Sequence, residues 1–368
     1  MEKVLYITTV SSTINIFLTE HIKMLIKNGY EVHCASSIDK LLNEELKNNG
    51  VIHYEIPFVR NPLSFNNVKA FIELIKINKR NRYNIIHVHT PIASIYGRIL
   101  KIIYKNIKII YTVHGYHFLK EGTKLGWLLY YPIEKIMAKF TDVTITINED
   151  DFKITKDKLK PKQTYLVNGV GIDLNIYKNL SLQKINLKRK ELNLKSNDFI
   201  ILMIAELNKN KNHIQLIKAL ELLKNKYCNI KVLCVGEGPL LEYLIEECTN
   251  RNLKEDIKFL GFRTDINELI NCSDLGILLS YREGLPRCLM EFMANGKKII
   301  ATNIRGCKDL IRNEEVGFLV NKGDYKGTAK AIEYCYLNKK NNFFIPKEIY
   351  NYDINNILKD IETIYDSI

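Results

Sequence analysis

The sequence predicts an α/β protein of two doubly wound, Rossmann-like domains with parallel sheets. Short β-branched runs alternate with longer amphipathic stretches along the chain, the pattern of repeated βαβ units. The 368 residues exceed what one compact α/β core serves and suit two. The alternation also pauses once, at 179–197, a polar stretch rich in Lys, Asn and Leu without a strand.

In the first half the candidate strands are 3–9, 30–35, 51–56, 84–89, 107–113, 142–147 and 164–167, with helical patterns between them, as at 16–27 and 68–79. Beyond the pause, strands are expected at 199–204, 230–235, 257–260, 274–279, 298–301 and 317–320. The expected organisation is a first domain over 1–178, a linker over 179–197 and a second domain over 198–345. The amphipathic segment 346–368 should pack back on the first domain. Ligands of open parallel sheets bind beyond the carboxyl ends of the strands. Two such domains, facing one another, would present their loops across a cleft.

Composition narrows the class. Hydrophobic residues make up 46% of the chain, far from a disordered composition. Met1 to Ile7 reads as an opening strand rather than a secretory leader, and no apolar run is long enough to span a bilayer. A cytoplasmic location is expected. The eight cysteines contain no CxxC pair and no His/Cys zinc spacing, which favours buried thiols over metal or redox chemistry. The net charge of +13 is uneven: residues 1–178 carry 25 Lys/Arg against 16 Asp/Glu, and 179–368 carry 29 against 25. A basic first half fits an anionic partner such as a membrane surface, nucleic acid or phosphorylated substrate. A generally lysine-rich composition explains it equally well.

The most informative segment runs from Ser280 to Glu291, just after a strand. Pro286 suits the first turn of a helix, and Gly284 lets a ligand approach the backbone. Amides around Leu285 and Arg287, with the helix dipole, would form an anion site. Glu283 stands in the loop and Glu291 about two turns into the helix, so the two could accept hydrogen bonds from different hydroxyls of one sugar nucleotide. A capping acid plus a surface Glu is the plainer alternative. The segment Glu206 to His213 again follows a strand, and its Lys209 and Lys211 suit a diphosphate. His114, beside Gly115 at the end of strand 107–113, is placed for a ligand. Gly236 and Gly238 lack the third glycine of a dinucleotide fingerprint. Glu149, Asp150 and Asp151 follow Asn148 as a helix start rather than a metal site, and no DxD occurs.

Glu283 and Glu291, with the surrounding Glu-Gly-Leu-Pro, Gly306 and the run Val316 to Val320, resemble the paired-glutamate motif of family 4 glycosyltransferases, which have the GT-B fold. The resemblance covers nearly the whole chain and leans toward bacterial capsule and exopolysaccharide enzymes. It implies that Glu283 binds the hydroxyls of the donor sugar and Glu291 the ribose. Lys211 takes the place of the phosphate-binding lysine, with Lys209 beside it. His114 would face the reacting sugar and acceptor, and the loop Gly261-Phe262-Arg263 would meet the base. Glu206 departs from the pattern, because the family has an arginine there. The expected activity is a metal-independent, cofactor-free, retaining transfer of a hexosyl or N-acetylhexosaminyl group. The donor would be a nucleotide-diphosphate sugar, UDP-linked, and the acceptor a polyprenyl-diphosphate-linked saccharide. Alternatives are a nucleotide-sugar epimerase of the same fold and a basic, non-catalytic anion- or nucleic-acid-binding protein. The stretch 118–140 mixes Lys120, Lys124, Lys135 and Lys139 with Trp127, Leu128, Leu129, Tyr130 and Tyr131. It reads either as a membrane-interface segment, giving peripheral attachment to the inner face of the cytoplasmic membrane, or as a core helix with solvated lysines.

Overall fold

A computed structural model describes residues 1–118, 124–339 and 343–368. The chain divides into two compact units, Met1–Val170 with Ile354–Ile368, and Gly171–Asp353.

Seven strands of the first unit form one sheet: β1 (Lys3–Val10), β2 (Glu31–Ser37), β3 (Ile52–Glu55), β4 (Ile85–His89), β5 (Lys108–Val113), β6 (Val143–Thr146) and β7 (Gln163–Leu166). Their order is β3-β2-β1-β4-β5-β6-β7, and every pairing is parallel. The runs Val4 to Ile7 and Ile109 to Val113 are buried without alternation, as expected for strands with helices on both faces. The second unit repeats the plan with β8 (Phe199–Ile204), β9 (Ile230–Val235), β10 (Ile257–Phe259), β11 (Leu275–Leu278), β12 (Lys298–Thr302) and β13 (Gly317–Val320), in the order β10-β9-β8-β11-β12-β13. Each sheet reverses its winding once, between β1 and β4 and between β8 and β11.

Two features differ from the sequence-based boundaries. The stretch 179–197 is not a bare linker. It holds the helix Leu182–Glu191, capped by the Ser181 hydroxyl and packed against the helix Ile266–Cys272 within the second unit. Its weak amphipathic pattern hides it in the sequence: no residue of the helix is fully buried, and Arg189 instead holds it in place by donating to the carbonyls of Cys272, Lys195 and Asp198. The chain passes from one unit to the other at Val170 and Gly171, and returns at Asp353 and Ile354. Those two passages are tied by a bridge between Ile172 and Asp353. The final helix, Ile354–Asp366, buries Ile357, Ile361, Ile364 and Tyr365 in the core that also contains Ile22 and Leu25.

In the stretch 118–140, Lys120 and the side chain of Lys124 lie outside what is described. The helix Lys124–Met137 has two faces. Trp127 and Tyr131 pack against Phe118, while Leu128, Leu129, Ile133 and Ile136 are exposed.

That helix is fastened by a buried ion pair. The Arg98 guanidinium donates to both carboxylate oxygens of Glu134 at 2.7 and 3.1 Å, donates through Nε to the Ser94 carbonyl at 3.0 Å, and lies 4.2 Å from the Tyr111 ring centre. Glu134→Ala would leave the guanidinium buried without its counter-ion, a loss of about 3–5 kcal/mol. Urea unfolding of the first unit should shift to lower denaturant in this variant, and by much less in Glu134→Asp. Equal midpoints for Glu134→Ala and the parent chain would show that the pair does not hold the helix.

Candidate functional site

The winding reversal of the second sheet brings the loops after β8 and β11 together, where an open parallel sheet accepts ligands. The two loops interlock through their backbones: Tyr281 N–H donates to the Asn210 carbonyl at 2.8 Å, and Asn210 Nδ2 donates to the Arg282 carbonyl at 3.0 Å. Asn208 caps the turn by accepting from Lys211 N–H at 3.1 Å. This geometry delivers Lys211 Nζ to Glu283 Oε1 at 2.6 Å. Arg305, unnoticed in the sequence, donates from Nε to the Glu283 carbonyl at 3.1 Å. Gly306 follows with φ +73°, and a Cβ there would lie 2.0 Å from the Gly284 carbonyl oxygen. Only glycine permits that approach. Gly236 serves the same end beside the Ala205 carbonyl, where a Cβ would sit at 2.2 Å.

Burial by itself would draw the Lys211 pKa down, but the charge and hydrogen bond of Glu283 more than offset it and hold Lys211 above its ordinary value. The lysine is therefore a fixed cation at neutral pH. The Cys288 thiol is pushed up to about 12, chiefly by burial, and is no nucleophile. The helix Arg287–Ala294 starts directly after Pro286, so the loop Glu283-Gly284-Leu285-Pro286 leads into its amino end. Glu291, on that helix, is only 6% exposed. Burial pushes its carboxyl upward, while Arg287, with Nε at 3.0 Å, and the hydroxyl of Tyr177 draw it back. Tyr177 comes from the segment that enters the second unit and carried no motif by which to find it.

The remaining predicted residues are placed differently. Lys209 lines a cavity of about 350 Å³ with Asn208, His213, Tyr243 and Tyr281. The Arg263 guanidinium is bound to Asp265 at 2.5 and 2.7 Å and to Glu191 at 3.2 Å. It is taken up by neighbouring carboxylates, and the structure does not join it to the Lys211–Glu283 pair. The loop enters the site region through its backbone instead, with Gly236 N–H donating to the Gly261 carbonyl at 2.9 Å. Glu206, at the family's arginine position, is exposed. Among the described residues no cluster of three or more His, Cys, Asp or Glu is placed to hold a metal ion.

In the first unit, half-buried His114 follows β5. It joins a stack that sequence spacing did not reveal. His89 Nδ1 lies 3.1 Å from His114 Nε2, and the His87 and His89 rings stack at 4.3 Å. His87 is bonded on both nitrogens, to Tyr365 Oη at 2.8 Å and Thr112 Oγ1 at 2.7 Å. His21 lies 3.3 Å from the Val170 carbonyl oxygen. The signal was the His-Val-His run 87–89, because alternate strand residues share a face.

Two family models match the chain: one described as glycosyl transferases group 1, over residues 184–347, and one described as glycosyl transferase 4-like, over residues 3–148. EpsD of Bacillus subtilis (strain 168) is 34% identical over 91% of this chain and 87% of its own. The UDP-Gal:alpha-D-GlcNAc-diphosphoundecaprenol alpha-1,3-galactosyltransferase of Escherichia coli is 31% identical over 83% and 80%. Among solved structures, Anabaena HepE in complex with UDP and glucose superposes with a TM-score of 0.83 at 20% identity, covering both chains fully. That likeness concerns the fold.

The imidazoles make stability depend on pH. Burial lowers His21 and His114 from 6.5 to about 4, and carries His87 and His89 well below 6.5. As pH falls from 6.5 toward 4, the unfolded chain takes up protons that the folded chain refuses. The stability present above 6.5 is lost across that window. Urea midpoints should drop between pH 7.5 and pH 5, and a midpoint unchanged over that range would mean that the folded stack accepts protons freely.

Proposed function

As the chain belongs to the glycosyl transferase group 1 and 4-like families and is a glycosyltransferase of GT-B fold, we propose that it transfers a sugar, with retention, from a UDP-linked donor to a hydroxyl of a polyprenyl-diphosphate-linked saccharide. The observation that carries this proposal is the Lys211–Glu283 pair at the winding reversal of the second sheet, 2.6 Å apart and tied to the loop that leads into a helix amino end. The activity for which the Escherichia coli relative is named supports the choice of donor and acceptor class, since it involves a UDP-sugar and a diphosphoundecaprenol-linked acceptor. Retention is what the family resemblance implies.

In this scheme the bond from the anomeric carbon to the diphosphate oxygen breaks and one to the acceptor oxygen forms. The acceptor proton leaves on the departing diphosphate. Negative charge grows on that diphosphate in the transition state, where Lys211 and the helix amides favour it over the ground state. Glu283 keeps Lys211 charged and has a second carboxylate oxygen for a sugar hydroxyl. Glu291, held by Arg287 and Tyr177, would accept from the ribose. No metal is required, because the protein's own cation meets the leaving group.

Incubation with radiolabelled nucleotide sugars, with and without lipid-linked acceptors, tests the scheme. Product that appears only with acceptor, and survives EDTA, is the expected result. Interconversion of free donors without acceptor would indicate an epimerase, and rescue of an EDTA-inactivated protein by magnesium would end the metal-free scheme. Glu291→Ala should weaken UDP binding by roughly 1.5–3 kcal/mol, the worth of a charge-assisted hydrogen bond. Calorimetry showing unchanged UDP affinity in the folded variant would remove the ribose assignment.

The lipid-linked acceptor also implies a membrane surface. No helix among the described residues is long and apolar enough to cross a bilayer. The exposed row Leu128, Leu129, Ile133 and Ile136, on the basic first unit, would supply peripheral contact. Flotation with anionic vesicles should recover the protein at low salt and less at high salt. Leu128→Asp with Ile136→Asp should abolish recovery; equal recovery of variant and parent would exclude this helix as the contact.

A further inference from the structure

We propose that His89 is a positioning residue that fixes the tautomer of His114: it donates to His114 Nε2, so that His114 keeps its own proton on Nδ1. His114 would then meet a ligand oxygen, a sugar hydroxyl or a phosphate oxygen, as a hydrogen-bond donor and not as a base. The functional half of the inference rests on the assignment of His114 to the reacting sugar; the tautomeric half does not.

The protonation pattern follows from counting hydrogens. Burial keeps both rings neutral at neutral pH, so each carries one N–H. The contact between His89 Nδ1 and His114 Nε2, at 3.1 Å, holds one of those hydrogens. If His114 supplied it, His89 would accept at Nδ1 and carry its own proton on Nε2. That nitrogen is buried without a partner among the described residues. An orphaned N–H would then sit in the core of a residue only 1% exposed. If His89 supplies the hydrogen, Nε2 holds only a lone pair. Buried orphan N–H groups are rarer than under-used acceptors, so the proton belongs on His89 Nδ1. The bond made by one imidazole nitrogen sets the protonation of the other. Neighbouring His87 cannot take this part, since Tyr365 and Thr112 occupy both of its nitrogens.

His89 is held where this requires. Its ring stacks on Tyr6 at 5.3 Å and on His87 at 4.3 Å. The next residue, Thr90, has φ 61° and ψ 143°, outside the conformations a β-branched residue ordinarily adopts. Its surroundings over-determine it. Thr9 N–H donates to Thr90 Oγ1 at 3.0 Å, the two threonine hydroxyls pair at 2.7 Å, and Ser94 N–H donates to the Thr90 carbonyl at 3.0 Å. Strain retained in this way collects at functional positions. Here it lies where β1 and β4 part, the winding reversal of the first sheet.

The test uses the full chain labelled with 15N-histidine, without ligand, at neutral pH. Long-range 1H–15N correlations should show His114 protonated on Nδ1 and bare on Nε2, with His114→Gln and His89→Asn used to assign the signals. A wild-type spectrum with the proton on His114 Nε2 overturns the proposal. Asn places an amide donor near the former Nδ1, so His89→Asn should preserve the His114 tautomer and most of kcat. His89→Leu should mix the tautomers and lower kcat roughly 10- to 100-fold, as loss of the orienting partner does for a metal-bound imidazole, with the donor KM little changed. If His89→Leu folds and leaves both tautomer and kcat intact, His89 positions nothing. If His114→Ala retains full kcat while the wild-type tautomer is as stated, the failure lies in the role given to His114. If His89→Leu does not fold, the wild-type spectrum and His89→Asn still decide the tautomer.

Discussion

A parallel strand can be followed only by a crossover, and both sheets of this protein are parallel at every pairing. Each crossover lays a helix over a face, so neither face is left for chemistry. Polar side chains that need solvent or ligand must leave at the carboxyl ends of the strands. Where the winding reverses, adjacent loops diverge onto opposite faces and leave room between them. The Lys211–Glu283 pair stands at one such point and the His89–His114 pair at the other. The glycines follow from the same crowding. Gly236 and Gly306 lie where one loop backbone presses on another, and a single Cβ would push them apart.

The two clusters at the winding reversals meet the cost of burying polar groups in different ways. Around Lys211 the groups stay charged and are paired, and Glu291 is likewise matched to Arg287 and Tyr177. Removal of water strengthens each pair but makes an unpaired member expensive. In the first unit the imidazoles give up their charge. They stack, share single hydrogens and anchor to hydroxyls of Thr112 and Tyr365. Paired charges of the first kind suit an anionic ligand. Neutral imidazoles of the second kind suit an uncharged hydroxyl, which needs a hydrogen-bond partner and not a counter-charge.

The terminal helix shows how much of this depends on contacts between distant parts of the chain. Tyr365 reaches His87 from 278 residues away. It also approaches Tyr6 Oη at 3.4 Å. The last turns of the protein thus complete the core beneath the histidine stack at the other end of the sequence.

The strand positions were legible in the sequence nearly to the residue, since the central strands are buried on both faces and read as continuous apolar runs. Gly284 and Pro286 were legible for a related reason, since a loop leading from a strand into a helix restricts residue type locally, whereas Glu283 and Glu291 stood out by their spacing and the family resemblance. The helix Leu182–Glu191 was not, because a helix held by Arg189 to carbonyls needs no apolar stripe. Nor could the sequence show that Arg263 spends its charge on Asp265 and Glu191, or that Tyr177 and Arg305 serve the glutamates. Those partners lie on separate elements, and only packing chooses among the charged residues within reach. The sequence by itself determined the two parallel sheets and the loops that hold the candidate site residues, through local patterns of burial and turn formation. The tertiary structure decided which groups meet in those loops and which stay charged, since desolvation and pairing act through space between residues that sequence spacing does not relate.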